Sequence, residues 1–199
     1  MRPTTLLLFS LIALGKSLNC LAQTSSGSLQ IGPVLSFYQQ DQTAWGGEVI
    51  GNINLQKKIA MGAGVQALKL LKKPSVYLPT FARLKISSVI SKAVCFFHLD
   101  PGYSFFNSRI TSHQTIGGFT DLTTDAITKG GFYLGAGFGI HGVSNSAPYF
   151  NLQYSLYKLE TTTTYIDNYI QSSSTEVEKT DAHAITLTLG LWLNFHARK

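Results

Sequence analysis

Residues 184–195 read A-I-T-L-T-L-G-L-W-L-N-F, and this stretch decides the fold that we predict. Every odd position from Ile185 to Phe195 is large and apolar, whereas most even positions are small or polar. A period of two over this length is typical of a β-strand with one apolar face. Twelve residues at about 3.3 Å each extend over roughly 40 Å. This length suits a tilted strand that crosses a bilayer, which needs about 9–11 residues.

The composition of the chain also favours a membrane setting. The 199 residues are enough for one domain. Only 13% of them are charged, about half of the roughly 25% that is usual for a soluble domain. Because a soluble fold covers its surface with charge, a chain of alternating strands with so few charges indicates that one face does not meet water. The basic residues are dispersed, which argues against a nucleic-acid partner.

The N-terminus has the pattern of an export signal. Residues 6–14 are a short apolar run after a basic start, too short to span a membrane as a helix. Ala22 offers a cleavage site, so we predict a signal peptide at 1–22. The alternative is a lipoprotein acylated on Cys20, but Asn19 stands where that signal prefers Gly or Ala. Cleavage after Ala22 removes Cys20.

The mature domain is predicted at 23–199, with Cys95 as its single cysteine and therefore no intramolecular disulfide. Eight segments of it alternate apolar with polar or small residues, two of them interrupted by Pro33 and Pro101, where a local ladder defect is expected. The predicted strands are 28–38, 44–56, 59–68, 75–87, 93–107, 130–141, 148–160 and 184–195.

The connections between these segments alternate in length. In an antiparallel meander, this alternation puts three tight turns at one end of the sheet and the longest loops, 108–129 and 161–181, at the other. Short turns on the periplasmic side and longer loops outside are typical of outer-membrane barrels. An even number of strands places both termini at the short-turn end.

Three segments carry a resemblance to a known family: the end of the predicted signal at 21–23, the glycine-rich strand 130–141 and the terminal strand 187–195. Together they resemble the small eight-stranded outer-membrane β-barrel family of Gram-negative bacteria, of OmpA/OmpX or porin-like type. The resemblance covers the mature chain and is one of pattern and topology. It implies an all-β, antiparallel, up-and-down transmembrane barrel in the bacterial outer membrane, in contact with its lipids and with the barrel-assembly machinery. One departure is that four residues follow Phe195, where such barrels often end on the aromatic residue.

Several titratable side chains fall on the polar strand faces, which point into the barrel if the apolar faces meet lipid. An eight-stranded interior is just wide enough for side chains, and unpaired charges in it are strongly disfavoured. We therefore expect Arg83 to be held between two carboxylates and to plug the lumen. The predicted interior cluster consists of Glu48, Arg83, Lys85, His98 and Asp100.

The predicted function is a structural or surface-interaction role, non-catalytic and without a continuous pore, in which loops 108–129 and 161–181 meet an unidentified extracellular partner. A proton or ion path through the cluster is one alternative. A lipid A-modifying enzyme is another, but His98 and Ser104 lie six residues apart, roughly 20 Å along a strand. A secreted lipocalin-like barrel with its apolar face inward around a lipophilic ligand is a third. The five histidines show no metal-ligand spacing, and no cofactor is expected.

Two further patterns concern packing. Gly135, Gly137 and Gly139 alternate along one face, which indicates close packing or sharp curvature inside the barrel. Aromatic residues gather near the predicted strand ends, where interfacial girdles are expected. The candidate girdle residues are Phe37, Tyr38, Trp45, Tyr103, Phe105, Phe106, Phe132, Tyr133, Tyr157 and Phe195.

Overall fold

The computed structural model describes residues 26–39, 42–71, 75–116, 120–167 and 170–195. The predicted signal peptide at 1–22 lies outside the described residues. Among those described, no helix is long and apolar enough to cross a membrane. Ten strands make up the regular structure of the described ranges: β1 Gly27–Tyr38, β2 Gln42–Asn54, β3 Ile59–Leu70, β4 Val76–Ile90, β5 Ala93–Phe105, β6 Asn107–Ile116, β7 Thr120–Lys129, β8 Phe132–Gly142, β9 Ser146–Asp167 and β10 Ser172–Phe195.

Eight of these strands close into a ring. Neighbours pair antiparallel in the order β1-β2-β3-β4-β5-β8-β9-β10, and β10 pairs back to β1. The closing ladder sets Leu29 opposite Leu193 and Phe37 opposite Ile185. The predicted eight-stranded antiparallel barrel is therefore confirmed, and closure leaves no strand edge in the ring.

The ladders are interrupted where the two prolines were expected to disturb them. Between β1 and β10, the paired residues pass from Ile31 to Val34, so Pro33 has no partner on that side. Between β4 and β5, they pass from Leu99 to Gly102 and skip Pro101. Proline lacks the N–H that a ladder needs, and in both strands the ladder on the other side continues.

The barrel has the reverse polarity of a soluble domain. Along β10, Leu189 points outward with 61% of its surface exposed, while Thr188 beside it is fully buried. The same alternation runs through the other ring strands, with polar side chains such as Gln30, Asn151 and Gln153 buried inside. A lipocalin-like barrel requires the apolar face inside, so that alternative is wrong. An outward apolar band needs lipid as its solvent.

The two long polar segments, which we expected to be loops, consist largely of strands. β6 and β7 form a hairpin within 107–129, and β9 and β10 continue beyond the barrel to residues 167 and 172. β7 pairs with the extended part of β9, which gives a four-stranded polar sheet. We call it the outer sheet: β6, β7, residues 160–167 of β9 and residues 172–179 of β10. Its threonines, which are β-branched, favour strand geometry even without an apolar face.

Candidate functional site: the barrel interior

The centre of the barrel contains a buried ion pair. Arg83 on β4 is 1% exposed and donates two hydrogen bonds to Asp100 on β5, Nε to Oδ1 at 2.8 Å and Nη2 to Oδ2 at 2.6 Å. Its Nη1 donates to Gln30 Oε1 on β1 at 2.9 Å, across the lumen. A planar guanidinium with two parallel bonds to a carboxylate is held in a defined orientation. The side chain therefore bridges opposite walls.

Glu48 on β2 does not complete that pair in the way we expected. Its Oε2 accepts a hydrogen bond from Gln66 Nε2 at 2.8 Å, and its Oε1 accepts one from the Tyr149 hydroxyl at 2.7 Å. Within the described residues, no ion pair joins Glu48 to Arg83. Arg83 is therefore paired on the Asp100 side alone. Glu48 forms a second cross-lumen link through neutral donors.

His98 lies next to the ion pair on β5. Its Nδ1 is 3.0 Å from Asp100 Oδ2, and its Nε2 is 2.9 Å from Asn151 Oδ1 on β9. Ser104, the residue considered as a nucleophile, is buried, and its Oγ has no hydrogen-bond partner within the described part of the chain. Because a nucleophilic serine needs a base within hydrogen-bond reach, these two residues do not form a catalytic pair.

Lys85 occupies a separate layer nearer the short-turn end. Its Nζ lies 3.7 Å from the centroid of the Trp192 ring and 5.6 Å from that of Phe96. The Trp192 ring in turn stacks on His141, with centroids 3.9 Å apart and planes at 8°. The structure thus brings Arg83, His98 and Asp100 together and places Lys85 among aromatic rings, apart from any carboxylate of the described residues.

A cluster of inward aromatic residues lies at the opposite end, and we predicted some of its members as girdle residues instead. Tyr77 stacks on Phe106 with centroids 4.1 Å apart and on Tyr38 at 5.4 Å. The ring centroids of Tyr157 and Tyr133 are 5.1 Å apart. The inward position of these tyrosines could have been predicted from the sequence, because they alternate in phase with the polar faces of their strands. We call this cluster the aromatic vestibule, and it consists of Tyr38, Tyr77, Phe106, Tyr133 and Tyr157. A cavity of about 180 Å³ opens beside it.

The other candidate girdle residues point outward. Phe37, Trp45, Tyr103, Phe105, Phe132 and Phe195 are each between 44% and 55% exposed. Five of them are at the vestibule end of the barrel and Phe195 is at the short-turn end. This distribution is the one expected of aromatic rings at the two lipid–water interfaces.

The glycine stripe of β8 packs against the interior side chains. A Cβ atom at Gly137 would lie 2.5 Å from the Leu152 carbonyl oxygen and 2.7 Å from His98 Nε2. At Gly139 it would overlap the Phe96 ring. The prediction of close packing on this face is confirmed, since a larger residue at either position would displace His98 or Phe96.

The interior geometry defines a transmembrane β-barrel whose lumen is filled by side chains. Among the described residues, no cluster of three or more His, Cys, Asp or Glu is placed to bind a metal ion. No family model matches the chain, and no curated protein matches its sequence.

Three solved outer-membrane proteins are similar to this chain in structure, to different degrees. AlkL, an outer membrane protein determined by solid-state NMR in DMPC bilayers, superposes with a TM-score of 0.50 at 11% identity, over 86% of this chain and 90% of AlkL. OprG of Pseudomonas aeruginosa gives 0.49 at 11% identity, over 88% and 98%. Ail, the attachment invasion locus protein of Yersinia pestis, gives 0.28 at 12% identity, over 86% and 99%. With its closed ring of eight antiparallel strands and its superposition on AlkL, the chain has the fold of the small outer-membrane β-barrels.

Proposed function

We propose that this outer-membrane barrel is closed to solutes, performs no catalysis, and presents its outer sheet to a partner outside the cell. The observation that carries the proposal is the contrast between the two parts of the molecule. The lumen is packed and cross-linked by hydrogen bonds, whereas the outer sheet extends beyond the ring with polar side chains that are exposed on β10 and mostly half-buried on β9.

The packed lumen supports the absence of a continuous pore. The Arg83–Asp100 pair and Gln30 span the lumen at one level, and Glu48 and Tyr149 span it at another. An eight-stranded barrel has room for side chains but little beyond them. Continuous passage of ions would require several of these buried contacts to break together.

The outer sheet is ordered by its own side-chain contacts. Arg109 donates two hydrogen bonds to Asp125, at 2.9 and 2.6 Å, and Thr111 donates a third at 3.1 Å. Lys158 pairs with Asp181 at 2.9 Å at the base of the sheet. Ordered polar strands offer a partner a surface of defined shape, which costs less conformational entropy on binding than a loop does.

Surface labelling tests the presentation of the outer sheet. In a Cys95→Ala background, Ser112→Cys places a thiol on β6, and Ser144→Cys places the matched thiol in a short turn at the opposite end. A membrane-impermeant maleimide applied to intact cells should label the first protein and not the second. Labelling of the short-turn thiol alone would reverse the orientation and contradict the proposal.

A hairpin replacement tests the interaction itself. Because β6 and β7 lie outside the ring, a short turn in place of residues 108–128 should leave the barrel able to fold. Cells that display the shortened protein should lose the adhesion or protein capture that the full chain confers. A chain that confers none, yet gives steady single-channel currents in planar bilayers, would favour a channel.

A second candidate function rests on the aromatic vestibule. Its cavity of about 180 Å³ is lined by the rings of Tyr38, Tyr77 and Phe106 and by Leu70 and Leu159, together with polar side chains that include Gln42, Asp181 and His183. This mixed lining suits a small ring compound that carries a polar group. Tyr77→Ala should then weaken the binding of such a compound, measured by calorimetry on the refolded protein, while Trp45→Phe on the lipid side should not change it. Equal binding by both variants would contradict a vestibule site.

A further inference from the structure

A cavity of about 610 Å³ opens at the short-turn end of the barrel, at the opposite end from the aromatic vestibule. Lys85, His141 and Trp192 form its inner wall, and Lys57 in the β2–β3 turn lies on its rim. We call it the lower cavity. Neither the plug nor the outer sheet involves it, so its chemistry is independent of the proposed function.

The side-chain amine of Lys85 has no anionic partner among the described residues. It is 3% exposed, and within the described ranges it has neither a hydrogen-bond acceptor nor a carboxylate beside it, only the rings of Trp192 and Phe96. Burying a charge is costly unless it is paired, and a cation–π contact offsets only part of that cost. The group lines the lower cavity, where an anion could reach it.

The charges around the lower cavity have one sign. The segments that form this end of the barrel are 26–29, 50–60, 84–97, 138–150 and 189–195, and they contain no Asp or Glu. The same segments contain Lys57, Lys58, Lys85 and Lys92. The acidic residues of the interior, Glu48 and Asp100, lie outside these segments, and they already accept hydrogen bonds from Gln66, Tyr149 and Arg83. A cavity lined by one sign of charge concentrates ions of the opposite sign.

The lining also supplies neutral hydrogen-bond donors. The side-chain amides of Asn54, Gln56 and Asn194 reach the same space as the two lysines. Asn54 Nδ2 already donates to Ser26 Oγ at 3.0 Å and Asn194 Nδ2 to the Ser144 carbonyl oxygen at 3.3 Å, which leaves each of these amides a second N–H for a ligand. A protonated lysine with three donors, flanked by amide N–H groups, matches a tetrahedral oxyanion, for which lysine is a common point-charge partner. We propose that the lower cavity is a binding site for a phosphate-type oxyanion, held by Lys85 and assisted by Lys57.

The experiment uses Trp192 as the reporter. The chain has two tryptophans, so Trp45→Phe leaves Trp192, whose ring touches the Lys85 ammonium, as the single emitter. The refolded protein in detergent micelles is titrated with sodium phosphate at constant ionic strength. We expect a saturable change in fluorescence, because an anion that draws Lys85 away alters the surroundings of the indole.

Two lysine variants in the same background separate the site from general charge. Lys85→Met should weaken phosphate binding at least about tenfold, as expected for the loss of a charge-assisted contact. Lys58→Met removes an exposed charge from the same end but outside the cavity lining, and its affinity should stay within about twofold of the parent. If Lys85→Met does not fold, Lys57→Met serves in its place and should weaken binding several-fold.

A parallel titration with dihexanoyl phosphatidylglycerol distinguishes the two sources of phosphate. Saturation by inorganic phosphate supports a dissolved ligand, and saturation by the lipid alone, with the same dependence on Lys85, supports a phospholipid headgroup. The proposal is overturned if neither gives a saturable response, if chloride or acetate gives one as large, or if Lys58→Met weakens binding as much as Lys85→Met.

Discussion

The buried pair of Arg83 and Asp100 makes the sharpest stability prediction. The substitution Asp100→Asn keeps the shape of the side chain and removes its charge. Arg83, which is 1% exposed, then retains its hydrogen bond to Gln30 Oε1 at 2.9 Å but loses its carboxylate. His98 loses the anionic oxygen at 3.0 Å from its Nδ1. The variant therefore contains a buried cation that has lost its ion-pair partner.

The magnitude follows from the burial of both partners. Removing one member of a buried ion pair costs about 3–5 kcal/mol, because the remaining charge is left uncompensated. The amide that replaces the carboxylate can still accept one hydrogen bond from the guanidinium, so we expect the lower end of that range, about 3 kcal/mol. Arg83→Met should cost a similar amount, because Asp100 then loses its guanidinium partner and keeps only the contact with His98 at 3.0 Å. The double variant should be more stable than the sum of the two losses implies, by about 1–3 kcal/mol.

Urea unfolding of the protein in lipid vesicles measures these differences, with the fluorescence of the two tryptophans as the signal. Lys158→Met, which breaks an exposed pair in which the two side chains are 56% and 50% exposed, is the matched control and should change the free energy of unfolding by less than about 1 kcal/mol. The reasoning is refuted if Asp100→Asn costs no more than this control, or if the two interior substitutions are additive.

The remaining predictions concern the membrane, the lumen, the outer sheet and the N-terminus. Leu189→Arg should reduce the free energy of folding into vesicles by about 2–4 kcal/mol, because Leu189 points into lipid, whereas Leu189→Met should have little effect; equal stability would reject the orientation. Planar-bilayer recordings of the wild-type protein should show no steady conductance, and large regular current steps would indicate a channel. Hydrogen bonds from Arg109 hold the pKa of Asp125 below its usual value, so this contact stabilises the β6–β7 hairpin above about pH 4 and its contribution is lost as the pH falls through the lowered pKa. Amide exchange in the hairpin, corrected for the intrinsic effect of pH, should therefore accelerate as the pH is lowered from about 5 to about 3, and Asp125→Asn should remove that dependence. Mass spectrometry of the mature protein should find a chain that starts at Gln23, whereas an acylated Cys20 would contradict the predicted cleavage.

The sequence alone determined the alternation of the barrel strands and favoured an outward apolar face. In a strand, side chains alternate strictly between two faces, so Leu189 and Thr188 could be assigned to opposite faces. The low charged fraction of 13% favoured lipid on the apolar side, and the structure decided it. The ladder gap at Pro33 could also be predicted, because a missing N–H is a property of the residue itself. These inferences are local, and they depend on no partner elsewhere in the chain.

The same apolar–polar alternation could not predict the outer sheet. Residues 161–164 are four threonines, and both faces of the strand meet water there. Without a lipid face or a core, the apolar period that marks a strand has no reason to exist. The strand forms because neighbouring strands of the barrel continue and supply backbone partners, which is a tertiary effect.

Partner choice inside the lumen was also decided by the tertiary structure alone. Alternation placed Glu48, Arg83, Lys85, His98 and Asp100 in the interior, but their partners depend on how the closed strands are staggered. Tyr149, 101 residues away along the chain, donates a hydrogen bond to the Glu48 carboxylate. Gln30, 53 residues away from Arg83, accepts a hydrogen bond from its guanidinium. The stagger of the strands and the closure of the barrel are properties of the ring as a whole. They place Lys85 over the Trp192 ring, where it faces the lower cavity.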